Sequence, residues 1–311
     1  MRAWYQGLFL CVIFTKNKLL SLSAFLNFVS SPLRGQVFFM FTISQLFIYP
    51  VKSLGGIAVD ALHITDRGAR YDRRWMLVDP FGGFLTIRQH PEMNRLHTVI
   101  EGDQLIIFDA AAPSDRVSTP LHPAPSSTMQ VQVWDDTVTA WTCDPAVSGW
   151  LSDKLGQPVL LVFMPDESHR YVDTDYAPPG AITSFSDGYP LLIIGQSSLD
   201  DLNSRLDRSM DIRRFRPNIV FTGGAPFAED DFASISIAGI PILGVKRCAR
   251  CVVTTIDPDT GDTGPEPLRT LSSYRRTGNK VDFGMNLVAS GTGILRIGDD
   301  IRLSVAVSGD A

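Results

Sequence analysis

The stretch "MQVQVWDDTVTAW", residues 129–141, alternates apolar and polar residues on both sides of Asp135 and Asp136. A period of two is typical of a strand with one buried face, and an acidic pair between two such runs predicts a β-hairpin. Short runs rich in apolar, β-branched and aromatic residues surround it: "ISQLFIY", "RWMLVD", "FLTI" and "LIIFD" before it, and "SISIAGIPILGV" and "GILRIGDDIRLSV" after it. Gly and Asp turns separate these runs, so the sequence predicts a chain built mostly of short strands.

Helical patterns are few. "DPAVSGWLSDKLG" has Asp144 as N-cap, Pro145 at the first helical position and Gly156 at the stop. "SSLDDLNSRL" places its three leucines on one helical face, with Ser197 or Ser198 as the cap. The order of elements predicts a β-rich α+β protein with barrel-like sheets, divided near residues 160–180.

Length, charge and cysteine content limit the possible classes. The 311 residues allow one large domain or two ordinary ones, and the net charge of -5 provides no general attraction for nucleic acid. Any bound anion must be held by a local cluster of arginines. Four cysteines do not make a disulfide framework, so we expect a reducing compartment, and the cytoplasm is the predicted location. Cys143, two residues after Trp141 in the sequence, is expected to be a small buried hydrophobic residue.

Residues 1–39 differ from the rest of the chain. They contain two apolar runs, "GLFLCVIF" and "LLSLSAFLNFVSS", neither of which reaches the length needed to span a bilayer. We expect an extension that is not part of the fold. A weak membrane anchor and a signal sequence are the alternatives. The segment that begins "MFTISQLFIYPVKS" at Met40 is typical of the start of a folded domain.

The chain contains one closely spaced cysteine pair, Cys248 and Cys251, in "KRCARCVVTTID". A structural zinc site would need a second Cys or His pair, and a redox dithiol would need a helix after the pair, where this sequence predicts a strand. The third possibility is a single metal-binding thiolate, because neighbouring arginines lower a thiol pKa and a soft thiolate suits a soft metal centre. The residues alone leave all three open.

Cationic and polar side chains occur at the ends of several predicted strands. A lysine, a hydroxyl and open backbone in "YPVKSLGG" could hold a phosphate, and arginines suit planar or phosphate-bearing anions. Each of these signals also has an ordinary explanation as a turn or a solvated surface charge, so only their combination indicates a site. The candidates are Lys52, Ser53, Arg73, Arg88, Ser186, Asp187, Arg216 and Asn218.

Taken together, the segments resemble the MOSC family, in particular its branch of molybdenum-cofactor reductases. The ordered landmarks include "LFIYPVKS", "DRRWMLVD", "TIRQHPEM", "SFSDGYPLLI", "FRPNIVFTGG", "RCARCVVTTIDPDTG" and "DFGMNL". The resemblance covers residues 43–303. It implies an N-terminal MOSC β-barrel domain over residues 40–165, followed by a MOSC β-barrel domain with a few helices over residues 166–308.

The resemblance also implies a site. Cys251 falls at the position of the sulfur ligand to molybdenum in the molybdenum–molybdopterin cofactor, and Cys248 is then a structural or neighbouring thiol. Ser186 and Asp187 lie near the metal, where Asp187 is expected to help deliver protons to the substrate. The residues expected to contact the cofactor are Lys52, Ser53, Arg73, Ser186, Arg216, Asn218, Arg250 and Phe283.

The activity implied by the resemblance is the reduction of N-hydroxylated or N-oxygenated compounds. Bacterial members of the branch often carry a C-terminal ferredoxin-type domain, and no such cysteines follow the last predicted strand here. We therefore expect electrons from a separate reductase or iron–sulfur protein. Sulfurase activity is disfavoured because no pyridoxal-phosphate domain precedes the MOSC segments. The alternative is a carrier of molybdenum cofactor or sulfur that has no turnover of its own.

Overall fold

The computed structural model of the chain describes residues 41–304. Within that range the strands are β1 Phe41–Ile48, β2 Ile57–Val59, β3 Ala61–Thr65, β4 Gly68–Ala69, β5 Trp75–Val78, β6 Leu96–Glu101, β7 Gln104–Asp109, β8 Ala112–Pro120, β9 Thr128–Val133, β10 Asp136–Thr142, β11 Leu160–Phe163, β12 Arg170–Tyr171, β13 Ile182–Thr183, β14 Leu191–Gly195, β15 Ile219–Thr222, β16 Ser234–Ile237, β17 Ile240–Ala249, β18 Arg276–Thr277, β19 Lys280–Ala289, β20 Gly293–Arg296 and β21 Asp300–Leu303. The α-helices of the same range are α1 Pro145–Leu155, α2 Gln196–Asn203 and α3 Leu268–Ser272. The predicted β-rich α+β class is confirmed.

A closed barrel of seven strands forms the larger part of the structure. Its order is β14-β15-β1-β21-β16-β17-β19, and pairing of β19 with β14 closes the ring. All of these pairings are antiparallel except that of β14 with β15. The first strand therefore lies between β15 and β21, and Phe41 pairs with Ile301. Closure leaves the ring without a free edge, and its interior is filled by aliphatic and aromatic side chains.

The segment between β1 and β14 forms smaller sheets beside the barrel. β9 and β10 make the predicted hairpin, which joins a four-stranded sheet of order β5-β11-β10-β9. β6, β7 and β8 form an antiparallel meander, and α1 packs between β8 and β11. One core cluster fills the space between them and includes Trp75, Leu151 and Leu161. Cys143 is buried in this cluster, as expected.

The helix signals were partly correct. α1 begins after Asp144, whose carboxylate accepts a hydrogen bond from the amide of Ala146, and ends at Gly156 in the left-handed conformation. In α2 the predicted serine cap is wrong: Gly195 occupies the N-cap position and caps with no side chain. Ser198 instead donates from its hydroxyl to Glu229, because that buried carboxylate lies beside the first turn of the helix.

Two predicted strands are also wrong. "FLTI" makes only an isolated bridge from Phe84 to Val78. "CVVTTID" forms a 3-10 helix, Val252–Thr255. The hydroxyls of Thr254 and Thr255 donate to backbone carbonyls three residues earlier, and such local bonds compete with strand pairing.

Some expectations lie beyond what the structure tests. The extension at residues 1–39 falls outside the described residues. Over residues 41–304, none of the helices has the length and hydropathy to cross a membrane. The boundary between the two domains at residues 165 and 166 stays a prediction, although β1 pairs within the barrel rather than with the sheets that follow it.

Candidate functional site

A cavity of about 350 Å³ opens where the barrel meets the smaller sheets. Nine of the ten residues predicted for the site line it: Lys52, Ser53, Arg73, Ser186, Asp187, Arg216, Asn218, Arg250 and Cys251. The tenth, Phe283, is fully buried behind the cavity wall, where its ring packs on that of Phe215 with centroids 4.4 Å apart. Residues that are distant in sequence thus meet at one place, while their individual roles stay predictions.

Lys52 and Asp187 form an ion pair in the cavity. Lys52 is buried, and its ammonium group donates to the Asp187 carboxylate at 2.5 Å and to the carbonyl of Phe185 at 2.9 Å. Burial lowers the pKa of Lys52, and the Asp187 carboxylate opposes that shift. Desolvation alone would raise the pKa of Asp187, but the charge and hydrogen bond of Lys52 hold it well below its usual range. About two-thirds of the Asp187 side chain is open to water, so an ionised carboxylate faces the cavity.

The turn that carries Ser186 and Asp187 is held in place by contacts with the buried Arg170. The buried guanidinium of Arg170 donates to the carbonyls of Ser184 and Ser186, and it pairs with Asp136 at 2.7 Å. Asp136 begins β10, so the hairpin predicted from the sequence anchors a site turn 50 residues later. The hydroxyl of Ser186 is engaged with that of Thr183 at 2.5 Å.

Two arginines stack on one tyrosine at the other side of the cavity. The guanidinium carbons of Arg73 and Arg216 lie 4.3 Å and 4.2 Å from the ring centroid of Tyr49. Arg73 is paired with Asp72, whereas the Nη2 atom of Arg216 is buried without a hydrogen-bond partner in the described part of the chain. Burial, together with the nearby charge of Arg73, lowers the pKa of Arg216 to about 10. An anion bound here would compensate both unfavourable effects.

Backbone strain accompanies these side chains. Ser53, Arg73 and Arg216 all have positive φ angles, of 72°, 49° and 55°. Non-glycine residues rarely adopt this conformation, and its cost is usually accepted at binding sites and active sites. Three such residues in one cavity wall indicate that the surrounding contacts fix the wall for binding.

Asn218 lines the cavity, but its side-chain amide forms hydrogen bonds within the protein. Its Oδ1 accepts from the amide of Leu192 at 3.1 Å, while its Nδ2 donates to the carbonyl of Phe47 at 3.2 Å and to Asp72 at 3.1 Å. Asp72 also accepts from the amide of Tyr49. Asn218 therefore joins β1, β14 and the arginine turn, which positions the neighbouring arginines.

The cysteine pair lies at the end of β17. Arg250 donates to the sulfur of Cys248 at 2.8 Å and to the carbonyl of Phe215 at 2.5 Å, and its Nε is buried and unpartnered within residues 41–304. Cys251 lines the cavity immediately before the 3-10 helix Val252–Thr255, and Cys248 packs partly against the aromatic cluster behind it. Both cysteines therefore line the cavity, and Cys248 differs in accepting a hydrogen bond from Arg250 and in its contact with the aromatic cluster.

Charge sets this cavity apart from the chain as a whole. Although the protein carries a net charge of -5, the lining contains one carboxylate, Asp187, and nine basic side chains: Lys52, Arg73, Arg88, Arg214, Arg216, Lys246, Arg247, Arg250 and Lys280. Such a concentration of positive charge favours an anionic ligand.

Three residues that position the site, Tyr49, Asp72 and Arg170, were missed by the sequence reasoning. Arg88 was among the strand-end candidates but not among the residues expected to contact the cofactor.

The donor set fits an anionic cofactor held by one thiolate. Unpartnered buried N–H groups on Arg216 and Arg250 can donate to phosphate or pterin oxygens, and the Cys251 thiol is available at the same wall. In the described residues no three or more His, Cys, Asp or Glu side chains come together to hold a metal ion.

The fold and the cavity define a class of protein. Two family descriptions match the chain: "MOSC N-terminal beta barrel domain" over residues 40–158 and "MOSC domain" over residues 181–302. The chain belongs to the MOSC family, in which an N-terminal MOSC barrel domain is followed by a MOSC domain.

The chain is similar to several known proteins of that family. The chain is 34% identical to mitochondrial amidoxime-reducing component 1 of Homo sapiens over 281 residues, which cover 84% of this chain and 82% of the relative. It is 30% identical to mitochondrial amidoxime reducing component 2 of Homo sapiens, with the same coverage. Identity to the molybdenum cofactor sulfurase of Oryza sativa subsp. japonica is also 30%, over 79% of this chain but 32% of that protein.

The predicted cytoplasmic location is wrong. The amidoxime-reducing relatives from human, mouse and cattle are named as mitochondrial proteins, and this finding contradicts the cytoplasmic prediction. Cysteine content indicated only a reducing environment, and it could not distinguish one such compartment from another.

Proposed function

We propose that this protein is a molybdenum-cofactor-dependent reductase of N-hydroxylated compounds, supplied with electrons by a separate redox partner. The observation that carries the proposal is the cavity with nine basic side chains, one carboxylate and the thiol of Cys251. The names of the relatives support the substrate class, because both human proteins are amidoxime-reducing components.

The reaction is a two-electron reduction. An amidoxime takes up two electrons and two protons, its N–O bond breaks, the oxygen leaves as water, and an amidine remains. The molybdenum cofactor, when bound, supplies the redox chemistry for this step. The electrons come from the partner protein, and the protons come from solvent that reaches the cavity.

In this proposal the residues of the cavity have different roles in binding the cofactor and the substrate. Lys52, Ser53, Arg73, Arg216 and Arg250 hold the anionic and pterin parts of the cofactor, and Cys251 provides its sulfur ligand. Asn218 positions the arginine turn through Asp72, as its hydrogen bonds indicate. Phe283 supports the wall through Phe215, on which it packs.

Asp187 acts on the substrate side of the proposed reaction. Because Lys52 keeps its pKa well below the usual range, Asp187 is ionised at neutral pH. An ionised carboxylate accepts hydrogen bonds from the N–OH and N–H groups of a bound amidoxime and orients them. Because Asp187 is ionised, any proton that it gives to the substrate must first come from water. Ser186, on the same turn, helps to shape this end of the cavity.

The experiment is metal and pterin analysis of protein purified from cells that make the cofactor. Wild type is compared with Cys251→Ala, with Cys248→Ala as the neighbouring control and Cys143→Ala as a control far from the cavity. We expect stoichiometric molybdenum and pterin in wild type and both controls, and loss of molybdenum in Cys251→Ala. Reduction of benzamidoxime with reduced benzyl viologen as donor then tests turnover.

Three results would count against the proposal. Zinc, or no metal and no pterin in wild type, would exclude a molybdenum enzyme. Equal molybdenum in wild type and Cys251→Ala would remove the proposed ligand. Bound cofactor without turnover of benzamidoxime or other N-hydroxylated compounds would favour the carrier function instead.

A further inference from the structure

Arg88 is a cavity residue with no protein partner for its charge. It lines the cavity, and its Nε is buried without a hydrogen-bond acceptor. Within residues 41–304 no carboxylate lies at ion-pair distance from it, whereas Lys52, Arg73 and Arg214 of the same cavity pair with Asp187, Asp72 and Asp257 respectively. A partly buried guanidinium with free donors is suited to a ligand anion.

The position of Arg88 is fixed by an aromatic contact. Its guanidinium carbon lies 4.3 Å from the ring centroid of Trp134, and Trp134 packs edge-on against Phe84 with centroids 5.1 Å apart. Trp134 lies at the tip of the β9–β10 hairpin, with a φ of 57°, and its indole Nε1 donates to Asp187 at 3.3 Å. Stacking therefore presents Arg88 at a set place beside Asp187 and leaves the edges of its guanidinium available.

The charge around Asp187 leaves Arg88 in excess. Asp187 is already paired with Lys52 at 2.5 Å and accepts a further hydrogen bond from Trp134. The Asp187 carboxylate therefore pairs directly with Lys52, and it forms no ion pair with Arg88. Arg216 and Arg250, the other cavity arginines without carboxylate partners, lie against Tyr49 and Phe215, while Arg88 lies against Trp134 of the hairpin.

We propose that Arg88, presented by Trp134, determines specificity by selecting N-hydroxylated substrates that carry a carboxylate over neutral and cationic ones. This inference rests on the proposed reductase function. The substrate carboxylate accepts two hydrogen bonds from the guanidinium fork, while the N-hydroxylated end lies toward Asp187. Residues from both parts of the chain then hold the cofactor, while Arg88 and Trp134, on the loop and the hairpin, select the substrate.

The test compares a matched pair of substrates, benzamidoxime and 4-carboxybenzamidoxime, with reduced benzyl viologen as donor. The measured quantity is the ratio of their kcat/KM values. We expect wild type to favour the carboxylate. Because hydrogen bonds to charged groups have a large energy, Arg88→Gln should lower the ratio by roughly tenfold or more, and Arg88→Lys should restore part of it.

Arg205→Gln is the matched control. Arg205 also stacks on an aromatic ring, that of Tyr274 at 4.2 Å, but it pairs with Asp201 and does not line the cavity. Its substitution should leave the ratio unchanged. Molybdenum and pterin content should be the same in wild type and Arg88→Gln, because the inference assigns Arg88 to the substrate and not to the cofactor.

Equilibrium binding separates this inference from the proposed function. Calorimetric titration with the products, benzamidine and 4-amidinobenzoate, should show weaker binding of 4-amidinobenzoate alone in Arg88→Gln. An unchanged ratio, an equal loss for both compounds, or loss of pterin from Arg88→Gln would overturn the inference. If no variant reduces benzamidoxime, the proposed function fails, and the titration alone decides whether Arg88 recognises the carboxylate.

Discussion

Replacing Asn218 with alanine should destabilise the barrel more than the loss of one polar side chain on the surface would. The amide of Leu192, a residue only 8% exposed, would lose its acceptor, and the carbonyl of Phe47 and Asp72 would each lose a donor. An orphaned buried donor costs about 2 kcal/mol, and two further lost hydrogen bonds cost about 1 kcal/mol or less each. Asp72 keeps its bonds to Tyr49 and Arg73.

The expected loss in the free energy of unfolding for Asn218→Ala is therefore about 3–4 kcal/mol. This is a large part of the stability of an ordinary domain, which is about 5–15 kcal/mol. The measurement is equilibrium unfolding in urea, monitored by circular dichroism. The urea concentration at the midpoint should fall, while the dependence of the unfolding free energy on urea concentration stays constant.

Asn218→Asp is the informative comparison. It restores the acceptor for Leu192 but places a second carboxylate against Asp72, where 3.1 Å now separates the Asn218 amide nitrogen from Oδ1. Like charges at this distance disfavour double ionisation, so its stability should improve relative to wild type as the pH falls toward 4. Asn218→Ala should show no such change. A loss below about 1 kcal/mol for the alanine variant, the bottom of the range for an orphaned donor, would refute the reasoning.

Two further predictions concern buried ionisable groups. Glu229 is fully buried, and burial raises its pKa, so its protonated form is favoured in the folded state and stability falls as the pH rises above the ordinary glutamate value. The stability of wild type relative to Glu229→Gln should therefore decrease between pH 4 and pH 7 in urea titrations, and parallel curves would contradict this. Burial raises the pKa of the Cys143 thiol to about 12, so iodoacetamide at pH 8 should modify Cys143 only in unfolded protein. Peptide mass spectrometry would detect the contrary result, rapid labelling of Cys143 in the native state.

Local patterns in the sequence predicted local structure well. The Asp144, Pro145 and Gly156 signals marked both ends of α1, and the alternation around Asp135 marked the β9–β10 hairpin. These features depend on contacts between residues close in sequence. The Ser198 cap was wrong for the opposite reason, since a carboxylate 31 residues later takes its hydroxyl.

The candidate site shows the same difference between contacts that are local in sequence and contacts between distant residues. Lys52, Arg216 and Cys251 were placed in one site through the resemblance, and the structure brings them to one cavity. Propensity and spacing could not place Tyr49 between Arg73 and Arg216, nor Trp134 beside Asp187, because these contacts join segments far apart in sequence that only the tertiary fold brings together. The 3-10 turn after Cys251 was missed because "VVTT" has the composition of a strand.

The position of β1 between β15 and β21 has a consequence for synthesis on the ribosome. β21 is the last strand of the ring to be made, so Phe41 and Thr42 of β1 lack their β21 partners while all the intervening residues emerge. Pairings so distant in sequence form slowly, and an unpaired strand edge can recruit other chains in the meantime. The β6-β7-β8 meander and the four-stranded sheet of β5, β9, β10 and β11 can assemble earlier, since their strands pair mostly with neighbours. A chain that stalls before β21 would therefore carry a finished N-terminal part and a barrel still open at its first strand, which is a ready substrate for chaperones and proteases.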